Sequence, residues 1–357
     1  MISRLAANDF RNLAPLDLTP ASGSHLLLGG NGAGKTSLLE AIYVLATTRS
    51  FRAAQIGDCV RHGSSSFHLE AEVVSDRRST LTVGWSEGLR QRGVNGKPTP
   101  LAEHLAVLPV VAWSAAESEV LVGLPRARRR FMDRGLVGTR PGALEVLGRY
   151  REALRQKREL LAGEATGIEI WNELLAATAA EVIRLRDAYV GALRRSYAEV
   201  IADAGLTLPE VMLHYRPSPP QGLEGPQAIA ASLERVADRE RRRQQPLLGP
   251  QRDELEILWG GHEIRRVASA GERKMLSLLL LAAHGRVVEA AGRRPVYLLD
   301  DADAELAPPA VAALWSLFSR RAAGAGQLFA CSNRPQAWLT LELGTVWELE
   351  KGAISRL

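Results

Sequence analysis

The chain of 357 residues has only two cysteines, Cys59 and Cys331, and they stand far apart in the sequence. A disulfide framework or a structural zinc site needs cysteines in paired, closely spaced sets, so both are excluded. The seven histidines show no spacing typical of metal ligands. No Ser/His/Asp or Cys/His arrangement indicates nucleophilic catalysis. The sequence therefore gives no sign of chemistry based on a thiol, a zinc ion or a triad.

Long apolar runs are also missing. The longest, residues 276–283, is about half of what a bilayer-spanning helix requires. Residues 1–12 lack a basic stretch followed by an apolar core, so we expect no signal peptide. These absences predict a soluble protein of the cytoplasm with no membrane partner.

Lysine is scarce as well. Of the 45 basic residues only five are lysines, at positions 35, 97, 157, 274 and 351, so each of them is a candidate for a specific role. The formal net charge of +5 permits a nucleic-acid partner without requiring one. Charged residues make up 24% of the chain and apolar residues 46%, which predicts a folded core and excludes extensive disorder.

The hydrophobic pattern divides the chain into three regions. Residues 1–113 and 248–357 have α/β character, and Asn95-Gly96 predicts a hairpin turn. Residues 114–247 show apolar positions at helical spacing, interrupted by a Pro/Gly-rich loop at 216–222. Short apolar runs lie at 26–28 and 81–83, and residues 25–28 are a strand candidate. Buried strands are predicted at 296–299 and 327–331. The simplest organisation is one α/β domain built from both chain ends, with an inserted, mainly helical lobe.

The strongest local signal is a complete G-x-x-x-x-G-K-[ST] pattern. Its residues are Gly29, Gly30, Asn31, Gly32, Ala33, Gly34, Lys35 and Thr36. An apolar strand candidate precedes the pattern and a helix-like segment, 37–43, follows it, which is the order that a phosphate-binding loop needs. We predict that the loop turns its N–H groups toward phosphates, that Lys35 neutralises the β- and γ-phosphates, and that Thr36 ligates Mg²⁺.

Two further elements suit a nucleotide site. An apolar strand candidate ends in Asp300, the predicted Mg²⁺ ligand, and Asp301, which is predicted to polarise the attacking water. Ser269 and Glu272 have the spacing of a capping box at a helix N-terminus. That N-terminus, with Gly271, is also a candidate anion site for a γ-phosphate, and the two interpretations are compatible.

The order of phosphate loop, long insert, Ser-x-Gly-Glu signature and double-acid strand resembles the head of ABC-type ATPases. Within that class the chain resembles the RecF family of the SMC-like branch. The similar segments cover nearly the whole chain, at 9–12, 30–36, 39–42, 50–52, 123–133 and 249–255. The last two segments are specific to this family rather than to ABC ATPases at large.

The resemblance implies a P-loop NTPase head of residues 1–113 and 248–357 with a helical arm lobe of residues 114–247. It implies ATP and Mg²⁺ as cofactors, with Ser269 and Gly271 reaching the γ-phosphate from a second copy. The ATP-dependent homodimer would hold double-stranded DNA near single-strand junctions, and weak ATP hydrolysis would release it. No chemistry on DNA is expected, because the sequence shows no nuclease-type carboxylate or histidine cluster. RecR and RecO are the implied partners, and gap repair, recombinase loading and the SOS response are the implied processes.

Four positions depart from the family's pattern. Ala115-Ala116 stand where the family usually has Pro-Glu/Asp, and Gln251 replaces a histidine. Ala307 stands at an aspartate position in the loop after the acid strand. In the family that loop helps two heads communicate, so Ala307 bears on the efficiency of ATP turnover.

The surface that contacts DNA stays open at this point. Arg128 and Arg129 match the family-specific segment and are the candidate DNA contacts. They also suit ion pairs to carboxylates such as Asp133 that would tie the lobe to the head. The run 241–243 is the alternative basic cluster, although residues 239–243, in which Glu240 is interleaved with arginines, are typical of a solvated helix face.

Two other functions are compatible with the sequence. An ABC transporter ATPase subunit would need a docking surface for a membrane partner, and co-purification with a permease would support it. An SMC-like defence or topology ATPase would act with a separate effector, and a toxin or nuclease gene beside its own would indicate it.

Overall fold

The structure is a computed structural model that describes residues 1–163, 168–206, 208–223, 225–324, 326–338 and 340–357. The chain forms two compact units. The first unit consists of Met1–Ser118, Ser196–Thr207 and Ser269–Leu357, and the second of Glu119–Arg195 and Leu208–Ala268. Residues 248–268, which the sequence assigned to the head, lie in the second unit because a strand at Glu254–Trp259 pairs there with a strand at Val211–Arg216.

One sheet of the first unit combines both ends of the chain. Its strands run in the order β15-β14-β3-β13-β12-β8, and all are parallel except the edge strand β15. Their bounds are β3 (Gly23–Leu28), β8 (Val110–Trp113), β12 (Val296–Asp300), β13 (Gln327–Ser332), β14 (Thr345–Glu350) and β15 (Ala353–Arg356). The strand candidate at 25–28 and the buried strands predicted at 296–299 and 327–331 are confirmed. A head built from both chain ends follows directly from this pairing.

The other sheet of the first unit is an antiparallel meander in the order β2-β1-β4-β5-β6-β7. Its strands are β1 (Ile2–Asn8), β2 (Leu16–Leu18), β4 (Ser66–Val74), β5 (Arg78–Ser86), β6 (Leu89–Val94) and β7 (Lys97–Pro98). In β4 buried and less buried residues alternate, as expected of a sheet with one face on the core. The predicted hairpin turn is confirmed, because Val94 pairs with Lys97 and both Asn95 and Gly96 have positive φ.

Four helices of the first unit pack with these sheets, at α1 (Lys35–Thr47), α2 (Leu101–Val107), α9 (Ala270–Ala290) and α10 (Pro308–Ala322). Helix α1 buries Leu38, Leu39 and Ile42 completely in the core. The longest apolar run of the sequence lies in α9, where it is buried around the whole helix. Among the described residues no helix is both long and apolar enough to span a bilayer.

The second unit is mainly helical and carries a small sheet. Its helices are α3 (Glu119–Val122), α4 (Pro125–Thr139), α5 (Ala143–Ala162), the larger part of α6 (Ile168–Ala204), α7 (Pro226–Arg243) and α8 (Ile264–Val267). Its antiparallel sheet has the order β11-β10-β9, from β9 (Val211–Arg216), β10 (Glu254–Trp259) and β11 (His262–Glu263). Strand β9 was missed in the sequence because its two buried residues, Leu213 and Tyr215, are too few for a clear alternating pattern.

Candidate functional site

The loop between β3 and α1 holds the glycine-rich pattern. Gly29 has φ 153°, and a Cβ atom there would lie 2.4 Å from the carbonyl oxygen of Leu349, so only glycine fits. Gly34 is the N-cap residue of α1 and provides no side-chain cap, and the first turn of α1 contains no acidic residue. The N–H groups at this helix end are thus left without a side-chain acceptor, which makes the end a site for an anion.

Lys35 and Thr36 stand at the start of α1 and face different partners. The Lys35 ammonium is buried and donates hydrogen bonds to the carbonyl oxygens of Gly29 (2.7 Å) and Gly30 (2.9 Å). The Thr36 hydroxyl donates to Oδ1 of Asp300 at 2.8 Å. This contact arises because β3 and β12 flank β13 in parallel, so their carboxyl ends lie at one edge of the sheet. The two residues predicted to ligate Mg²⁺ are therefore neighbours.

Asp301, at the end of the acid strand, lies in a partly buried and negatively charged environment. Burial, and next the neighbouring charge of Asp300, raise the pKa of its carboxyl group. The Cys331 thiol donates to Oδ1 of Asp300 at 3.0 Å, and its sulfur accepts the Asp301 N–H at 3.4 Å. Asp301 itself has φ 48°, a left-handed conformation that is unusual for a residue with a side chain.

Lys274, which had no predicted role, holds the backbone of the acid loop. Its ammonium donates to the carbonyl oxygen of Asp301 at 2.7 Å and lies 4.8 Å from the ring centre of Trp113. Burial lowers the pKa of Lys274, against the opposing effect of the nearby carboxylates. The scarcity of lysine was the sequence signal that could have indicated a role for Lys274. Of the five lysines, Lys35, Lys157 and Lys274 are buried in the described chain.

The signature segment forms the N-terminus of α9, and the predicted capping box is confirmed. The Ser269 side chain accepts the Glu272 N–H at 3.3 Å, and the Glu272 carboxylate accepts the Ser269 N–H at 2.7 Å. A Cβ atom on Gly271 would lie 3.0 Å from the carbonyl oxygen of Glu305, so the loop after the acid strand passes close to this glycine.

A pocket of about 400 Å³ adjoins the phosphate loop. Besides loop residues 32–37 it is lined by Arg11, Asn12, Arg52, Val60 and His62, and neither Ser269 nor Gly271 is in its wall. Asn12 donates to the carbonyl oxygen of Gly32 at 2.6 Å, which ties the N-terminal segment to the loop. The lining is polar and carries cationic side chains, as a site for a phosphorylated ligand requires.

Arg11 is held at this pocket by a buried carboxylate of α1. Glu40 is fully buried and accepts from Arg11 at two positions, Nε to Oε2 at 2.9 Å and Nη2 to Oε1 at 2.8 Å. The Ser50 hydroxyl also donates to Glu40, and Arg52 lies 3.8 Å from it. Three segments that resemble the family, 9–12, 39–42 and 50–52, therefore meet around one carboxylate.

Arg128 and Arg129, the candidate DNA contacts, lie in α4 of the second unit and both have protein partners. Arg128 forms a two-point ion pair with Glu254, with Nε to Oε1 at 2.5 Å and Nη2 to Oε2 at 3.1 Å. Arg129 donates to the carbonyl oxygen of Asp253 at 3.0 Å, and burial, together with nearby Arg186, lowers its pKa. Glu254 and Asp253 belong to the same unit as the two arginines, so these contacts give the arginines a structural role within that unit. Contact with DNA by the two arginines stays a prediction.

The family-specific segments meet in the second unit at a buried arginine that sequence reasoning missed. Arg186 of α6 donates to Asp133 (Nη2 to Oδ1, 2.7 Å) and to Asp253 (Nη1 to Oδ2, 2.7 Å). The Tyr215 hydroxyl of β9 donates to the same Asp253 oxygen at 2.5 Å. Arg186 is an ordinary polar position of an amphipathic helix in the sequence, so no local pattern indicated it.

The departures from the family pattern have simple local structures. Gln251 accepts a hydrogen bond from the Tyr150 hydroxyl and donates to the carbonyl oxygen of Leu248 at 2.8 Å, so it serves as a partly buried polar partner. Ala307 is the N-cap residue of α10 and provides no side-chain cap. An aspartate at this position would be a preferred capping residue. Ala115 and Ala116 lie in a short 3₁₀ turn, Ala115–Ser118.

Three features together define an ATPase head of the ABC type. They are the phosphate loop after β3, the acid strand β12, which is separated from β3 by β13, and the capped signature helix α9. The family model described as the RecF/RecN/SMC N terminal domain matches residues 1–342. The DNA replication and repair protein RecF of Myxococcus xanthus is 33% identical over 320 residues, covering 85% of this chain and 84% of that protein. Its counterpart from Frankia alni is 34% identical over 328 residues, with 85% and 87% covered. The chain belongs to the RecF family.

Solved structures agree with this fold. The structure of the recombination mediator protein RecF with ATP superposes with a TM-score of 0.87 at 23% identity, covering 100% of this chain and 97% of that one. An Smc head bound to the C-terminal winged-helix domain of ScpA matches with a TM-score of 0.60 at 15% identity, covering 100% and 96%. The SMC-like ABC ATPase head predicted from the sequence is confirmed.

Proposed function

We propose that this chain binds ATP with Mg²⁺ at the phosphate loop, residues 29–36. The observation that carries the proposal is the 2.8 Å contact of Thr36 with Asp300 at the uncapped N-terminus of α1. A hydroxyl and a carboxylate are the hard oxygen ligands that suit Mg²⁺ beside nucleotide phosphates. When ATP binds, the Lys35 ammonium would give up its hydrogen bonds to the carbonyl oxygens of Gly29 and Gly30 and donate to the β- and γ-phosphates, whose charge it neutralises.

The same site supports slow ATP hydrolysis as a switch. Mg²⁺, when bound by Thr36 and Asp300, would neutralise charge on the β- and γ-phosphates. Asp301 would accept a hydrogen bond from the attacking water and orient it. Lys274 would fix the carboxylate's position through the Asp301 carbonyl group.

Completion of the site would need a second copy of the chain. Ser269 and Gly271, which the family resemblance assigns to the γ-phosphate, are absent from the wall of the pocket beside the phosphate loop. We infer an ATP-dependent homodimer in which each copy presents the N-terminus of α9 to the γ-phosphate bound by the other. Hydrolysis would separate the two copies.

The biological role follows from the relatives. They are named DNA replication and repair proteins, and the solved RecF–ATP structure is described as part of the RecFOR pathway. We infer that this chain acts as an ATP-dependent clamp on double-stranded DNA near single-strand junctions, with RecR and RecO as partners. Gap repair, recombinase loading and the SOS response are the processes it would serve. Membership of the RecF family favours this role over a transporter subunit or a defence ATPase.

The test compares Lys35→Ala with Lys97→Ala, which removes an equal charge from the exposed β6–β7 hairpin. We expect Lys35→Ala to bind a fluorescent ATP analogue roughly 10- to 100-fold more weakly, because a charged hydrogen-bond partner of the phosphates is lost. Sedimentation with and without ATP should show dimers for the unmodified and Lys97→Ala proteins only. Unchanged ATP affinity of Lys35→Ala would overturn the nucleotide site. ATP binding without dimers in the unmodified protein would overturn the clamp.

A further inference from the structure

One side of α7 carries a row of arginines. Arg235, Arg239 and Arg242 stand at positions i, i+4 and i+7, which places them on one helix face, and Arg243 flanks them. All four are exposed. Within the described ranges none of the four is ion-paired with a carboxylate. We call these four residues the α7 arginine stripe.

The acidic residues of α7 do not neutralise this stripe. Glu240 interrupts the basic run in the sequence, but its side chain is only 1% exposed and pairs with the fully buried Lys157 of α5 at 2.6 Å. Its other oxygen accepts the Leu247 N–H at 2.7 Å. Asp238 is exposed and lies within one turn of Arg235 and Arg242, and its ion-pair partner is Arg241, at 3.2 Å. Glu234 is exposed as well, but among the described residues neither it nor Asp238 forms an ion pair with an arginine of the stripe. The exposed side of the helix therefore carries an excess of positive charge.

Stabilisation of the helix end explains only part of this arrangement. Cations in the last turn interact favourably with the helix dipole, which accounts for arginines at positions 241–243. The effect falls off within one turn, so Arg239 and Arg235 gain little from it. Arg235 instead donates to Ser232 at 2.7 Å within its own helix, and it remains exposed and without a carboxylate partner. A row of unneutralised guanidinium groups two turns long suits a polyanion with regularly spaced charges.

We propose that the α7 arginine stripe is a contact site for the phosphate backbone of duplex DNA. The proposal rests on the proposed function, since it names a surface for the DNA that the clamp would hold. From Arg235 to Arg242 the stripe extends about 10 Å at the helical rise of 1.5 Å per residue. One DNA strand presents about three phosphates over that length. Contact of this kind positions the duplex and does not depend on base sequence.

The experiment uses the full chain with ATP and a duplex carrying a single-strand junction. The stripe variant is R235Q/R239Q/R242Q. The matched control is R149Q/R155Q/R216Q, which removes three arginines of the same unit that are likewise exposed but paired with carboxylates. Arg149 pairs with Glu181, Arg155 with Glu152 and Glu159, and Arg216 with Glu256. Affinity is measured by fluorescence anisotropy over a series of salt concentrations. Circular dichroism melts verify that each variant is folded.

We expect the stripe variant to bind the duplex about tenfold or more weakly than the unmodified chain. The slope of log affinity against log salt concentration should shrink by about two to three units in the stripe variant and by under one unit in the control. A third variant, R235K/R239K/R242K, keeps the charges and should bind nearly like the unmodified chain. Equal binding by the stripe and control variants would overturn the proposal. So would equal losses in the lysine and glutamine variants, which would indicate a structural role. If the unmodified chain failed to bind DNA with ATP, the proposed function itself would fail.

Discussion

Lys157→Met tests whether Glu240 is held inside the second unit as a buried charge. The Lys157 Nζ and Glu240 Oε2 atoms lie 2.6 Å apart, and their side chains are 0% and 1% exposed. Removal of the lysine leaves a carboxylate in the interior with one hydrogen bond, from the Leu247 N–H. Removal of one partner of a buried pair typically costs about 3–5 kcal/mol, because the other charge remains without solvent. We expect a loss of this size in the free energy of unfolding.

The second variant of the cycle is Lys157→Met/Glu240→Gln. It removes both charges and keeps an acceptor for the Leu247 N–H, so most of the loss should be recovered. Urea unfolding measured by circular dichroism should show the midpoint lowered by about 1–2 M in the single variant. Hydrogen exchange of the α5 and α7 amides should place the loss in these helices. A single-variant loss below about 1 kcal/mol, or a double variant no more stable than the single, would refute the buried-pair argument.

Three further predictions concern the acid strand, the α10 cap and the α4 arginines. Asp301→Asn should leave ATP bound but slow phosphate release by about 100-fold or more, whereas Asp300→Asn should weaken Mg²⁺-dependent ATP binding. If both variants hydrolysed ATP at the unmodified rate, the acid strand would not be the catalytic element. Ala307→Asp should raise stability against urea by about 1 kcal/mol by capping α10, and no gain would contradict the assigned cap position. Arg128→Ala with Arg129→Ala should lower stability by about 2–4 kcal/mol, since four hydrogen bonds are lost. Unaltered DNA affinity and salt slope in the folded double variant would exclude the two arginines from the DNA surface.

Short-range features of the nucleotide site could be predicted because their partners lie within a few residues. The glycine pattern at 29–34 specifies a backbone path through local conformation, and it placed Lys35 and Thr36 at the start of α1. The capping box of Ser269 and Glu272 spans three residues. The Asn95–Gly96 turn needs only two residues with positive φ. In each case the spacing of residue types sets the geometry.

The contact of Thr36 with Asp300 joins residues 264 positions apart, and it exists because β13 lies between β3 and β12. Spacing along the chain cannot show that the Thr36 hydroxyl and the Asp300 carboxylate are in contact. The order of the motifs only made the two residues candidate Mg²⁺ ligands. Lys274 illustrates the same limit, since its role depends on how the start of α9 lies against the acid loop.

Charge on the surface depends on packing even more strongly. In the sequence, Glu240 lies among arginines and makes the run look like a solvated face of mixed charge. The packing of α7 on α5 buries that carboxylate against Lys157 and leaves the arginines of the stripe exposed. For Arg128 the opposite holds, because Glu254, 126 residues away, neutralises it. Partners that are distant in the sequence bury or neutralise some charges of a basic run and leave others facing solvent. Those partners come close only when helices and strands pack, so the sequence alone cannot show which charges remain exposed.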